Sequence, residues 1–244
     1  MERIAILSDI HGNMTALRAV LKDIEQRGLK HLICLGDLAG KGPGPAEAVD
    51  MITDRCRAVV RGNWDHAIAM HASEFTLWHR AQLGKKRLSY LRELPIYLEF
   101  YMSGRLIRLC HAAPHDMFYR TFQDSEQTKR LKLFEPTETL NLYSDIVGYG
   151  DIHMAYIDHI SGRTVFNAGS VGNPLDITQA SYAVIEGEYG AKELSPFSLS
   201  LIRVPYDIDK AVDDALKSDM PEKDAYINEL RTAIYRGNVH KEVK

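Results

Sequence analysis

Cysteine is scarce in this 244-residue chain: Cys34, Cys56 and Cys110 are odd in number and far apart, which excludes a disulfide framework and a thiolate zinc knuckle. No apolar run approaches the ~18–20 residues of a membrane span. Met1-Glu2-Arg3 is followed only by Ile4-Ala5-Ile6-Leu7 before Ser8-Asp9, so no signal-peptide core is expected. Neither sign of charge dominates, since 30 Lys plus Arg face 33 Asp plus Glu for a net charge of −3. That balance argues against stable nucleic-acid binding and against a membrane partner. Low-complexity tracts, repeats and linkers are missing as well. What remains is 45% hydrophobic and 26% charged, an ordinary globular composition. The expectation is a cytoplasmic protein with one domain over residues 1–244, including a helical C-terminal tail over about 207–237.

The first sixty residues alternate between two periods. An aliphatic run over 3–7 stops at Ser8-Asp9, and from Asn13, a good N-cap, Leu17, Val20, Leu21 and Ile24 repeat at helical spacing as far as Gly28. A second apolar run over 31–35 ends at Gly36-Asp37. A loop rich in Gly and Pro then leads to a helix over 46–54, with Pro45 suited to its first turn. A third strand core over 58–60 ends at Arg61-Gly62-Asn63. This β-α-β-α-β order predicts a parallel sheet with crossover helices. Thr76 is then expected to cap a helix over 77–94, with Leu77, Ala81, Leu88 and Leu91 on its inward face. Hairpins follow, 96–102 with 106–110 around Ser103-Gly104 and 156–160 with 163–166 around Ser161-Gly162. Strands over 182–186 and 199–204 and helices over 208–216 and 222–235 complete an α/β chain.

Acids, amides and histidines fall where the apolar runs end. Asp9 and His11 follow the first, Asp37 the second and Asn63 the third; His111 follows Leu109-Cys110, and Asp151 and His153 follow residues 146–150. Loops after the carboxyl ends of parallel strands share one edge, so the pattern brings these side chains to a single rim. Asp37 alone reads equally well as a helix cap, and His153 alone as a surface histidine, but the set does not. Carboxylates, imidazoles and one amide suit hard or borderline ions such as Mn²⁺, Fe and Zn²⁺. The set is too large for one tetrahedral ion and suits two ions about 3.5–4 Å apart, an arrangement that hydrolyses phosphoryl groups with a bridging hydroxide.

Ser8-Asp9-Ile10-His11-Gly12-Asn13, Leu35-Gly36-Asp37, Arg61-Gly62-Asn63-Trp64-Asp65, Cys110-His111-Ala112-Ala113-Pro114 and Gly150-Asp151-Ile152-His153 resemble the successive motifs of calcineurin-like binuclear metallophosphoesterases. Asn167-Ala168-Gly169-Ser170-Val171-Gly172-Asn173-Pro174 is similar to the segment that follows them in the small bacterial phosphodiesterase branch. The match runs in order from Ile4 to about Glu186. The resemblance implies a four-layer α/β/β/α sandwich. It implies Asp9, His11, Asp37 and His153 around one metal, and Asp37, Asn63, His111 and Asp151 around the other, with Asp37 as the bridge. Manganese or iron are the expected ions, zinc and magnesium the alternatives. Catalytic roles fall to Asp37, Asn63 and His111.

Two positions depart from the familiar motifs. Trp64 stands where many members carry a histidine that protonates the leaving group, and indole releases no proton at usable pH. The tryptophan either stacks on a base or packs the wall of the site, and His66 and His115 are surrogate acids. Asp151 stands where the family usually has histidine; it either ligates or only orients a neighbour. Lys41, in the Gly-Lys-Gly-Pro-Gly loop, is a candidate phosphate contact, and residues 169–172 are expected to support the His153 loop. The resulting expectation is a metal-dependent phosphoesterase for phosphodiester or phosphoanhydride bonds of small nucleotide-like substrates. Dinucleoside polyphosphate hydrolysis is the narrower alternative, and a non-catalytic metal-dependent binding or scaffold protein the alternative of another class.

Overall fold

The computed structural model describes residues 1–238. In chain order the elements are β1 (Glu2–Leu7), α1 (Met14–Gln26), β2 (His31–Cys34), α2 (Pro45–Arg55), β3 (Ala58–Val59), α3 (Asn63–Met70), α4 (Glu74–Glu93), β4 (Tyr97–Met102) and β5 (Arg105–Cys110). They continue with α5 (Gln127–Leu131), β6 (Ile146–Tyr149), β7 (Tyr156–Ile160), β8 (Arg163–Asn167), β9 (Ala180–Gly187), β10 (Ser198–Val204), α6 (Ile208–Leu216) and α7 (Lys223–Thr232). Two five-stranded mixed sheets form, ordered β10-β9-β1-β2-β3 and β4-β5-β6-β8-β7. Within them β1, β2 and β3 run parallel, as do β5, β6 and β8.

The central strands β1, β2 and β6 read as nearly continuous apolar runs because they are buried on both faces. Ile4 and Ile6 of β1, Ile33 of β2 and Ile185 of β9 meet Ile107, Leu109, Ile146 and Phe166 in a core between the sheets. Their alternate neighbours Ala5, Leu7, Leu32, Cys34 and Tyr182 face the opposite way, against apolar residues of α1, α2 and α4. On the outer face of the second sheet, Val147, Tyr149 and Val165 pack with Leu133 and Phe134. This is the expected α/β/β/α sandwich. Its second outer layer is slight, carried by α5, a 3-10 turn at Lys132–Phe134 and irregular chain.

The expectations held best where period and caps agree. Asn13 Oδ1 accepts from Ala16 N at 3.0 Å, capping α1, while its Nδ2 reaches Gly172 O at 2.8 Å. The helix expected over 77–94 is the main correction. The chain has α3 first, and α4 begins at Glu74; Thr76 lies inside its first turn, with Oγ1 accepting from Ser73 N at 2.9 Å. Gly84, at φ 67°, interrupts α4. That interruption breaks the helical phase, so Leu77 is exposed while His79, Leu83, Leu88 and Leu91 turn inward. Among the described residues, no helix is long and apolar enough to cross a membrane.

One buried ion pair holds the irregular layer down. Arg108, on β5, gives Nε to Glu99 Oε1 at 2.6 Å and donates to the carbonyls of Glu135 and Leu142 at 2.6 and 3.0 Å. Both partners are almost fully buried. Arg108→Leu leaves Glu99 uncompensated and frees the 133–142 segment, and should lower unfolding free energy by about 3–5 kcal/mol. Chemical denaturation measures this; a loss within the scatter of surface substitutions would show that the layer is held by its apolar contacts alone.

Candidate functional site

The side chains expected on one rim are delivered there by the parallel strands. Asp9 and His11 follow β1, Asp37 follows β2, and Asn63 follows β3 as the first residue of α3. His111 follows β5, and Asp151 and His153 follow β6. Two groups of potential ligands result, Asp9 with His11 and His153, and Asp9 with Asp37 and His111, each with its ligand atoms within 4.8 Å of one another. Asp9 belongs to both groups, and Asp37 Oδ2, of the second, lies 3.7 Å from His11 Nε2 of the first and 3.4 Å from His111 Nε2. Asp9, His11, Asp37, His111, Asp151 and His153 are buried, and Asn63 is half-buried.

The imidazoles are aimed by their far nitrogens. His11 Nδ1 faces Ala39 O at 3.2 Å and His111 Nδ1 faces Leu35 O at 2.8 Å, while His153 Nδ1 faces Asn173 O. A carbonyl only accepts, so each Nδ1 carries a proton, and each Nε2 offers a lone pair when its ring is neutral. His11 Nε2 and His153 Nε2 then stand 3.1 Å apart with lone pairs opposed. His111 Nε2 and Asp9 Oδ1 are buried with no hydrogen-bond partner. His153 Nε2 lies 3.1 Å from Asp9 Oδ1 and His111 Nε2 3.4 Å from Asp37 Oδ2, so these buried groups need positive charge among them, which protons or metal ions can supply. The residues present therefore fit metal ions.

Reaching this arrangement strains the backbone. Asp9, His11, Asp37, Asp151 and His153 have φ of 54°, 49°, 54°, 64° and 60°, in the left-handed region that disfavours L side chains. Hydrogen bonds between loops hold them there: Asp9 N to Gly36 O at 3.0 Å, His11 N to Asp37 O at 2.9 Å, and Gly150 N to His111 O at 2.8 Å. The 167–174 segment grips both ligand loops. Ser170 Oγ donates to Asp9 O at 2.8 Å, Gly172 N also donates there at 2.9 Å, and Leu175 N donates to His153 O at 3.1 Å. Its expected support of the His153 loop thus extends to the Asp9 loop. Gly62 is required by close approach, since a Cβ there would fall 2.0 Å from Asp37 Oδ1.

Asp65 organises the Asp37 loop and was missed in the sequence, where it reads as the tail of a ligand motif. Its carboxylate accepts from Asp37 N at 2.8 Å, Leu38 N at 3.0 Å, Ala39 N at 3.3 Å and Gly62 N at 3.1 Å. Burial, reinforced by the charge of Asp37, pushes its carboxyl up to about 7, while the backbone donors oppose that rise. For Asp9, burial raises the pKa, but His153, His111 and His11 outweigh it and hold the carboxyl well below the usual range. His111 is raised well above its ordinary value: burial opposes, and Asp37, Asp9 and Asp151 prevail. His11 is lowered by burial first, then by Lys41 and His153.

Asp151 is placed differently from the other ligands. Arg120 takes its two oxygens at 2.9 and 2.8 Å, and Asn63 Nδ2 donates to Oδ1 at 2.6 Å. His111 Nε2 lies 3.9 Å from the same oxygen. Arg120 carried no sequence signal, because it sits in irregular chain with no period or motif around it. The centre opens into a cavity of about 750 Å³ lined by Asp37, Lys41, Asn63, Trp64, Arg120 and His153 among others. Lys41 Nζ donates to Asn173 Oδ1 at 2.8 Å. Trp64 is part of the wall, packed edge-on to His11 and His79 at ring separations of 6.3 and 6.0 Å. His66 packs edge-on to Phe118 and His115 is exposed; neither lines this cavity. Residues 233–236, just beyond α7, close another side. Arg236 anchors them through Glu229 Oε1 at 2.8 Å and Glu222 Oε2 at 2.7 Å.

Comparison with known proteins follows the same lines. The family model of the calcineurin-like phosphoesterase superfamily domain matches residues 2–190. Uncharacterized protein MJ0912 of Methanocaldococcus jannaschii is 30% identical across 90% of this chain and 94% of its own length. Phosphodiesterase YfcE of Escherichia coli K12 is 25% identical across 77% of this chain and 89% of its own. Among solved structures, a metallophosphoesterase from Sphaerobacter thermophilus shares the fold with a TM-score of 0.76 at 23% identity, covering 96% of this chain and 99% of that one. Hypothetical protein PH1004 of Pyrococcus horikoshii OT3 does so with a TM-score of 0.78 at 22% identity, covering 96% and 100%.

Asp65→Asn presents an amide N–H to backbone donors that need acceptors, and should loosen the loop carrying Asp37. Mn²⁺ affinity is expected to fall by about 10–100-fold, the usual effect of losing a group that orients ligands. Isothermal titration of the apo-protein checks it, and an affinity equal to wild type would show that the loop holds its shape without the carboxylate.

Proposed function

The chain belongs to the calcineurin-like phosphoesterase superfamily, and from that premise we propose that it is a metal-dependent hydrolase of phosphodiester or phosphoanhydride bonds in small nucleotide-like substrates. The observation that carries this reading is the convergence of three Nε2 atoms and the carboxylates of Asp9 and Asp37 beside a cavity of about 750 Å³. One ion is assigned to Asp9, His11, Asp37 and His153, and a second to Asp37, His111, Asn63 and Asp151, with Asp37 shared. Such ions supply Lewis acidity toward a phosphoryl oxygen and toward water.

The remaining roles belong to the chain itself. Trp64 N donates to Asp37 Oδ1 at 2.8 Å, which leaves Oδ2 turned toward the imidazoles. Lys41, Arg120 and Arg236 bring positive charge to the cavity and are suited to phosphate oxygens. Burial lowers the Lys41 pKa, and Glu229 opposes that shift. Trp64, Phe75, Phe122 and Tyr235 give the cavity aromatic surface on which a base can stack. More than one such surface favours dinucleoside polyphosphates as the narrower reading. Neither His66 nor His115 lines the cavity, so among the described residues no histidine outside the ligand set lines it.

A panel of bis-p-nitrophenyl phosphate, alkyl monoesters, nucleotides and dinucleoside polyphosphates, assayed with Mn²⁺, tests the reading. Turnover of nitrophenyl esters and anhydrides should exceed that of alkyl monoesters by about 10²–10⁴-fold, the contribution of the missing general acid. No hydrolysis across the panel would favour the binding or scaffold alternative. Asp37→Asn exchanges an anion for a neutral amide of the same shape; it should abolish turnover with the circular dichroism of the wild type retained, and loss of folded protein would instead mark a structural residue. Trp64→Ala and Tyr235→Ala should leave nitrophenyl ester turnover nearly intact and weaken nucleotide binding by ~1–3 kcal/mol if the rings stack on bases. Equal losses on both substrate types would identify wall packing.

A further inference from the structure

The two halves of the candidate centre differ in one respect. Asp9, His11 and His153 face one another directly: His11 Nε2 and His153 Nε2 stand 3.1 Å apart, and Asp9 Oδ1 lies 3.1 Å from His153 Nε2. Around Asp151 the charge is already compensated. Arg120 Nε and Nη2 bind Oδ2 and Oδ1 at 2.9 and 2.8 Å, and Asn63 Nδ2 shares Oδ1 at 2.6 Å. The Asp151 side chain is 2% exposed while that of Arg120 is 48% exposed, and Arg120 lines the cavity. A planar guanidinium therefore stands with one positive charge where an ion would bring two, and it can leave toward solvent without unpacking the core.

We propose that Arg120 is a displaceable internal cation that keeps the second ion weakly bound until a phosphate group draws its guanidinium off Asp151, so that phosphate and the second ion bind cooperatively. The inference rests on the two-ion reading above. Its chemistry is that of a guanidinium fork, which binds carboxylate and phosphate in the same bidentate geometry and exchanges one for the other at little directional cost. Once released, Asp151 is a buried anion with no compensating charge and only the Asn63 amide donating to it, and a cation beside Asn63 and His111 is the favourable remedy. Linkage makes the effect reciprocal: phosphate tightens the second ion by the factor by which that ion tightens phosphate. The consequence is a centre that completes itself only when a phosphorylated molecule occupies the cavity.

The test counts ions. Apo-protein is titrated with Mn²⁺ by calorimetry, with bound ion followed by electron paramagnetic resonance, in the absence and presence of inorganic phosphate. Wild type should show one tight step and a second weaker step that phosphate tightens about tenfold or more. Arg120→Gln should strengthen the second step without phosphate and remove most of the phosphate effect. Arg120→Lys, which keeps the charge and loses the fork, should fall between them and guards against misfolding of the glutamine variant. Two equally tight steps in phosphate-free wild type, or a second step unchanged in both variants, would overturn the proposal. If that happens while the substrate panel is still hydrolysed, only the role of Arg120 fails; if no Mn²⁺ binds to any variant, the two-ion reading fails with it.

Discussion

Opposed lone pairs at the ends of parallel strands are the constraint around which the rest of this protein is arranged. Three imidazole nitrogens and the oxygens of Asp9 and Asp37 converge in a buried space, with His11 Nε2 only 3.1 Å from His153 Nε2. The carboxylates beside those nitrogens, Asp9 Oδ1 at 3.1 Å from His153 Nε2 and Asp37 Oδ2 at 3.4 Å from His111 Nε2, make the space one that a positive charge must fill. The backbone adds strain, because five of the converging residues sit in left-handed conformations that cost of order 1–3 kcal/mol each. A centre of this kind persists only when its surroundings over-determine it. Here they do so through carbonyls that lock each Nδ1, through the Asp65 carboxylate beneath the Asp37 loop, and through the 167–174 segment laced into the Asp9 and His153 loops.

Charge around the centre is distributed unevenly. Lys41, Arg120 and Arg236 reach the cavity from three separate parts of the chain, and each is tethered to a neighbour: Lys41 to Asn173, Arg120 to Asp151, Arg236 to Glu229 and Glu222. Tethered cations are positioned in advance for an anionic ligand, at less ordering cost than free lysines on a rim. The C-terminal segment takes part directly, since α7 is bounded by left-handed Glu222 and Ala233 and the chain after it returns to form cavity wall. The tail is thus part of the cleft, a role that its amphipathic period alone does not reveal.

Much of this was readable from the residues in order. Asp9, His11, Asp37, Asn63, His111, Asp151 and His153 each follow an apolar strand, and the structure brings them to one end of two sheets. Other features left no such trace. The helix over Asn63–Met70 was hidden because its first turn is also a ligand loop, and Gly84 shifted the phase of α4 so that Leu77 faces outward. Asp65 passed for an ordinary motif residue, although its acceptors hold four backbone N–H groups in place. Arg120, 31 positions before Asp151, had no pattern around it at all.

The sequence by itself determined the α/β alternation, the strand ends and the chemical type of the centre, because hydrophobic period, turn residues and ligand identity are local properties of the chain. The tertiary structure alone decided that Arg120 pairs with Asp151, that Trp64 forms wall beside His11, that His66 and His115 are outside the cavity lining, and that residues 233–236 close it. Those outcomes depend on which distant side chains share a volume and on where each buried charge finds a partner. Both are settled by packing across the whole molecule, and no stretch of neighbouring residues encodes them.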